Sequence, residues 1–174
     1  TDIGNMMGAF QFVSKIEGHN KAAKAKNNQA KENGEEPTET EIKPIVGCQL
    51  FVCENHLDKS RKDNGYQVVF LAKNKNGYHN LAKMSSIAYT KGFYYVPRID
   101  KAVIEQYKED IIVLSGNLYG EIPSKILNIG ETQAEEALIW WKEQFGADFY
   151  LEIMRHNQQD EDVVNKTLIE FSKK

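Results

Sequence analysis

At 174 residues, with 41% hydrophobic and 27% charged side chains, the chain has the length and composition of one globular domain, or part of one, able to bury a core. Its 22 basic and 25 acidic residues leave a net charge of −3, which excludes the basic excess of a module that grips nucleic acid. Cys48 and Cys53 lack the spacing of a zinc site and are too few for a disulfide framework, and no apolar run nears the roughly 20 residues of a membrane span. A reducing, cytoplasmic setting without a leader peptide is the resulting expectation.

In chain order, Thr1-Asp2-Ile3-Gly4-Asn5 reads as a strand end and a turn. Met6, Ala9, Phe10, Val13 and Ile16 then recur at helical spacing and predict one apolar face. Residues 18–41 are polar, with alanine as their only apolar type until Ile42, and read as a flexible insertion with at most a helical first part. The run Ile45-Val46-Gly47-Cys48-Gln49-Leu50-Phe51-Val52 predicts a strand covered on both faces, with Cys48 as a small buried hydrophobe. Val68-Val69-Phe70-Leu71-Ala72 predicts a second strand. A helical face of Tyr78, Leu81, Ala82, Ser85 and Ala88 follows.

Asp100 is placed to cap a short helix carrying Val103, Ile104 and Tyr107, and Ile111-Ile112-Val113-Leu114 is the next predicted strand. A helix near residues 123–127 precedes one opened by a capping box of Thr132 and Glu135 and stopped by Gly146. Ala137, Leu138, Trp141 and Phe145 supply the buried stripe of the latter, which leaves Trp140 as an interface candidate. Residues 148–154 read as a last strand, and Val164, Leu168 and Phe171 as the inner face of a last helix. Strands alternating with helices predict an α/β fold with a parallel sheet, open or closed into a barrel.

Sites in such folds lie at the carboxyl ends of the strands. Those positions hold Asp2 and Asn5, Ser115 and Asn117, and Arg155 and His156. Gln49 and Gln67 lie within or beside apolar strands and need partners, because an unsatisfied buried amide costs about 1–3 kcal/mol. His19, His56 and His79 read as solvated surface residues, and His156 as a hydrogen-bonding residue rather than a ligand. Neither a glycine-rich phosphate loop nor a Ser-His-Asp signature is present.

Several stretches resemble the PHP (polymerase and histidinol phosphatase) domain of bacterial DNA polymerase III alpha subunits. They are Thr1-Asp2-Ile3-Gly4-Asn5-Met6, Lys43-Pro44-Ile45-Val46-Gly47-Cys48-Gln49, and Leu71-Ala72-Lys73-Asn74 with Gly77-Tyr78. Gly92-Phe93-Tyr94-Tyr95 with Pro97-Arg98, Leu114-Ser115-Gly116-Asn117 with Gly120-Glu121-Ile122-Pro123, and Phe149-Tyr150-Leu151-Glu152 with Arg155-His156 complete the series. The resemblance implies a single partial PHP domain over residues 1–174, part of a distorted (β/α) barrel with mainly parallel strands. The family's opening His-x-His segment, the end of the domain and the polymerase palm, fingers and thumb would lie outside it.

In metal-binding members the barrel mouth carries an ion cluster. By the resemblance, Ile3 stands here in place of a His, Gln49 of a Glu, Gln67 of a His and Asn117 of a Cys or His, and His156 alone keeps a ligand type. The implied site is a vestigial pocket of Asp2, Ile3, Gln49, Gln67, Arg98, Asn117 and His156, with no metal and no catalytic residue. Arg98 could bind a phosphate there, and a structural salt bridge to a carboxylate is the preferred reading.

No cofactor is expected in this segment, magnesium belonging to the palm. The implied role is a non-catalytic docking module of a replicative polymerase, with the proofreading exonuclease subunit and other replicase subunits as partners and DNA reached only through the rest of the polymerase. Exposed edges of a partial barrel would favour self-association. The alternatives are a residual metal-dependent phosphoesterase using Asp2, Glu152 and His156, and an unrelated α/β barrel enzyme acting on a sugar phosphate.

Overall fold

The computed structural model describes residues 1–173. The chain divides into two compact units, one made of Thr1–Met6 with the chain from Gly47 onward, the other of Met7–Val46.

The first unit is built on a six-stranded sheet: β1 (Asp2–Ile3), β2 (Gly47–Val52), β3 (Tyr66–Ala72), β4 (Arg98–Ile99), β5 (Ile111–Leu114) and β6 (Phe149–Tyr150). Its order is β1-β2-β3-β5-β6, with β4 paired to β2 beyond the end of β1. The parallel-sheet expectation is corrected here. The two longest pairings, β2 with β3 and β3 with β5, are antiparallel, and only the short strands β1, β4 and β6 add in parallel. The sheet is mixed, and its path among the described residues does not close into a barrel.

The strands are also less covered than their apolar runs suggest. Cys48, Leu50, Val52, Val68, Phe70, Ile111 and Val113 point into the core, while Phe51, Val69, Leu71, Ile112 and Leu114 alternate with them and are half-buried. Both faces are apolar, so the sequence shows a continuous run where the structure has one buried and one partly open face. The last strand is likewise shorter than expected, since residues 151–154 leave the sheet.

The core is completed by α2 (Lys75–Thr90), α3 (Lys101–Tyr107), α4 (Glu121–Asn128), α5 (Glu131–Phe145) and α6 (Gln159–Phe171). Asn74 caps α2 by accepting from the N–H groups of Asn76 (2.9 Å) and Gly77 (3.1 Å). Asp100 caps α3 as expected, accepting from Val103 N at 3.1 Å. The capping box predicted for α5 does not form: the helix starts at Glu131 after Gly130, which places Thr132 inside the first turn. Trp141 is buried as expected, and the half-buried Trp140 lies edge-on to it and under the Lys101 ammonium, 4.3 Å from its ring centre.

The second unit carries α1 (Ala9–Glu32), whose single helix runs well past the short helical start expected of residues 18–41. Its Ala, Lys, Gln and Glu content has high intrinsic helix propensity, so it continues without an apolar stripe. The predicted face is not a buried one: Phe10 is exposed, Val13 and Ile16 are half-buried, and Ala23 is the buried residue of the helix. The returning chain is clamped by two asparagines. Asn20 exchanges two hydrogen bonds of 2.8 Å with the backbone of Ile42, and Asn27 does the same with Glu39 at 2.8 and 3.0 Å.

Candidate functional site

Ile3, Gln49, Gln67 and Asn117 come together through the pleat. Ile3 pairs with Gln49, and Gln49 pairs with Val69, two residues from Gln67, so all three strand positions share the half-open face. Gln49 Nε2 donates to Gln67 Oε1 at 2.8 Å, and Asn117 Nδ2 donates to the same oxygen at 3.3 Å. Asn117 is brought there by Gly116, whose φ of +82° turns the chain past Gln67; a Cβ at Gly116 would sit 2.4 Å from the Gln67 carbonyl oxygen. The Asn117 side chain also closes its own turn by accepting from Tyr119 N at 2.8 Å. The result is a ladder of three neutral amides in which each needs the others, as expected for Gln49 and Gln67.

Glu152 joins this region from the chain after β6. Its backbone N–H donates to Ser115 Oγ at 2.8 Å, and its carboxylate receives the Gly116 N–H. The Glu152 Oε2 atom is buried and has no hydrogen-bond partner. Burial pushes this carboxyl above the ordinary glutamate range, and the Gly116 N–H only partly offsets that. A raised folded-state pKa means that stability falls as pH rises through and above the ordinary value of about 4.3. Glu152→Gln is therefore expected to raise the urea midpoint at neutral pH and to change it little in acid.

Three predicted site residues lie apart from the ladder: Asp2, which alternates with Ile3 and pairs with Cys48, and His156 and Arg98. His156 is exposed, and its Nδ1 lies 2.7 Å from Glu161 Oε1 while its backbone N–H donates to Glu161 Oε2 at 2.5 Å. The pair fixes the turn into α6 and holds the Glu161 carboxyl below its ordinary range.

Arg98 is fully buried, and neither the phosphate reading nor the salt-bridge reading describes it. Its Nε donates to Gly92 O (3.1 Å), Nη1 to Asp63 O (2.9 Å), and Nη2 to Asp58 O (2.8 Å) and His56 O (3.4 Å). The guanidinium thus gathers four backbone carbonyls, three of them from the loop between β2 and β3, and the Tyr94 ring lies 5.4 Å from its centre. A planar fork with five donors suits this task, and a carboxylate is not required.

His56, expected at the surface, is buried with its Nδ1 2.5 Å from Asp100 Oδ2. No local pattern marks it, because the contact joins residues 44 positions apart. Burial alone would raise the Asp100 carboxyl, but hydrogen bonds from His56 and from the Val103 N–H outweigh it and hold the group low. Its contribution is therefore complete above the ordinary aspartate value of about 3.9 and is lost as pH falls through the lower folded value. Asp100→Asn should flatten the acid limb of a urea-midpoint profile measured from neutral pH downward. His19 and His79 are exposed, as expected.

The PHP domain family matches residues 1–156. The chain belongs to the PHP domain family. Within it, this PHP domain is similar to the DNA polymerase III subunit alpha of Borreliella burgdorferi, 37% identical over 99% of this chain. It is 36% identical to that of Treponema pallidum over 99% of the chain and 35% identical to that of Aquifex aeolicus over 100%. The chain spans only 13–14% of the length of these relatives.

The residues at the ladder do not fit a metal cluster of the kind the family's metal-binding members carry. Ile3 offers no lone pair, the three amides bring no negative charge, and His156 is engaged with Glu161. Among the described residues, no three His, Cys, Asp or Glu side chains are grouped to hold an ion. No helix among them is long and apolar enough to cross a membrane.

Proposed function

We propose that this PHP domain is a non-catalytic structural and docking module of a bacterial replicative DNA polymerase, acting in the cytoplasm and supporting the proofreading exonuclease subunit. The observation that carries the reading is the amide ladder of Gln49, Gln67 and Asn117, three neutral side chains bonded to one another at positions that the family resemblance assigns to ligands in metal-binding members. Neutral amides bonded to one another offer an ion no charged ligand, and open catalytic metal sites need about three good protein ligands. The similarity to DNA polymerase III alpha subunits supports the replicative context. DNA contact is assigned to the rest of that polymerase, in keeping with the net charge of −3 here.

Two measurements test this. Elemental mass spectrometry on the complete domain after exposure to zinc and manganese is expected to find far less than one equivalent of metal. A stoichiometric ion lost in His156→Ala would move the domain to the phosphoesterase reading. Co-purification of the complete domain with its cognate exonuclease subunit is the second, and absence of a complex would remove the docking role.

A further inference from the structure

A cavity of about 700 Å³ opens where β2 ends and β3 begins, away from the amide ladder's side chains. Its volume is that of an ordinary small-molecule site. Arg61, Lys62, Lys101 and Lys125 line it together with three carboxylates, those of Glu54, Asp63 and Glu121. In a chain of net charge −3, this one cavity therefore carries a surplus positive charge.

The arrangement around Glu121 is the telling part. Its carboxylate is buried, and one oxygen receives Lys125 Nζ at 2.9 Å and Lys101 Nζ at 3.2 Å while the other receives Trp141 Nε1 at 2.8 Å. Burial would raise this carboxyl, but the two ammoniums and the indole N–H hold it below its ordinary range. Two ammoniums thus meet one carboxylate, which leaves one positive charge over, with Lys101 resting on the Trp140 ring. Each ammonium also has N–H groups beyond the one given to Glu121. Arg61, from the loop between β2 and β3, is paired among the described residues with Glu54, and both are solvent-exposed, a pairing that an incoming anion can displace at little cost. Lys62 lies over the Tyr95 ring at 5.1 Å.

The cavity lies where the antiparallel strands β2 and β3 end and begin, at Val52 and Tyr66, next to the start of α3 at Lys101.

We propose that this cavity is a binding site for a phosphate-bearing small molecule, held by Lys101 of α3 and Lys125 of α4 together with Arg61 and Lys62 of the loop between β2 and β3. A phosphate group suits the surplus charge, because lysine ammoniums and an arginine fork bind it without needing a metal. The site does not depend on the docking role proposed above.

The test is equilibrium dialysis of radiolabelled inorganic phosphate, and in parallel of a radiolabelled nucleoside monophosphate, against the full-length polypeptide in EDTA. Uptake is compared for the native protein, the Lys101→Gln/Lys125→Gln pair, the Arg61→Gln/Lys62→Gln pair and a Lys142→Gln control on α5. The expected result is that each pair binds one equivalent less than the native protein, and that the control does not. Loss for both ligands assigns recognition to the phosphate group alone. Loss for the nucleoside monophosphate only assigns the organic part a share; either outcome upholds the site. The Arg61/Lys62 pair is exposed and outside the core, so its fold is not at risk when its binding is judged. Unchanged uptake of both ligands in that pair overturns the proposal.

Discussion

Replacing Arg98 with alanine is expected to cost about 3–5 kcal/mol of folding stability, among the largest effects available to a single substitution in this domain. The side chain is fully buried, and its removal strips the charged donor from four backbone carbonyls at once. A stranded buried acceptor costs about 1–3 kcal/mol, and water entering beside the more exposed Asp58 and Asp63 keeps the total below the simple sum. Arg98→Lys should recover little, since one ammonium cannot reach acceptors spread around the edge of a guanidinium, from Nε to both Nη atoms. Urea denaturation monitored by circular dichroism reads both variants. A loss under about 1 kcal/mol for the alanine variant would mean that the loop between β2 and β3 is held by other contacts.

Trp141 carries the second large effect. Its indole stacks on Phe145 (5.9 Å) and Phe149 (6.2 Å), meets Phe70 at 6.2 Å, and reaches Glu121 through Nε1. Trp141→Ala is expected to cost about 3–5 kcal/mol, the range for emptying a large aromatic site. Trp141→Phe keeps most of the ring packing but leaves Glu121 to its lysines, so a smaller loss of about 1–3 kcal/mol is expected. Equal losses in the two variants would place the energy in the indole–carboxylate bond rather than in packing.

The strand runs, the Asp100 cap, the Gly146 stop and the Trp141 stripe were legible in the sequence because each depends on neighbours within a few positions. The buried amides were legible in kind: Gln49 and Gln67 each demanded a partner, and they answer one another across β2 and β3. What sequence could not supply was direction and distance. Antiparallel pairing of β3 with β5 follows from where the chain returns after α2, β4 and α3, and apolar residues on both faces erase the alternation that would have announced a half-open sheet. Arg98 and His56 were misread for the same reason. Their partners are backbone carbonyls and a carboxylate 35 to 44 positions away, or a turn of chain with no side-chain signature.

The asparagine clamps on α1 give the unit of residues 7–46 an energetic character unlike that of the sheet. Its order comes from helix propensity and from side-chain amides that imitate a strand partner, with Ala23 as its one fully buried apolar residue. Unfolding such a unit exposes little fully buried apolar surface, since Val13 and Ile16 are only half-buried. Its opening should therefore carry a small denaturant slope and a small heat-capacity change, so that urea and cold, which melt the core, leave its equilibrium nearly where it was.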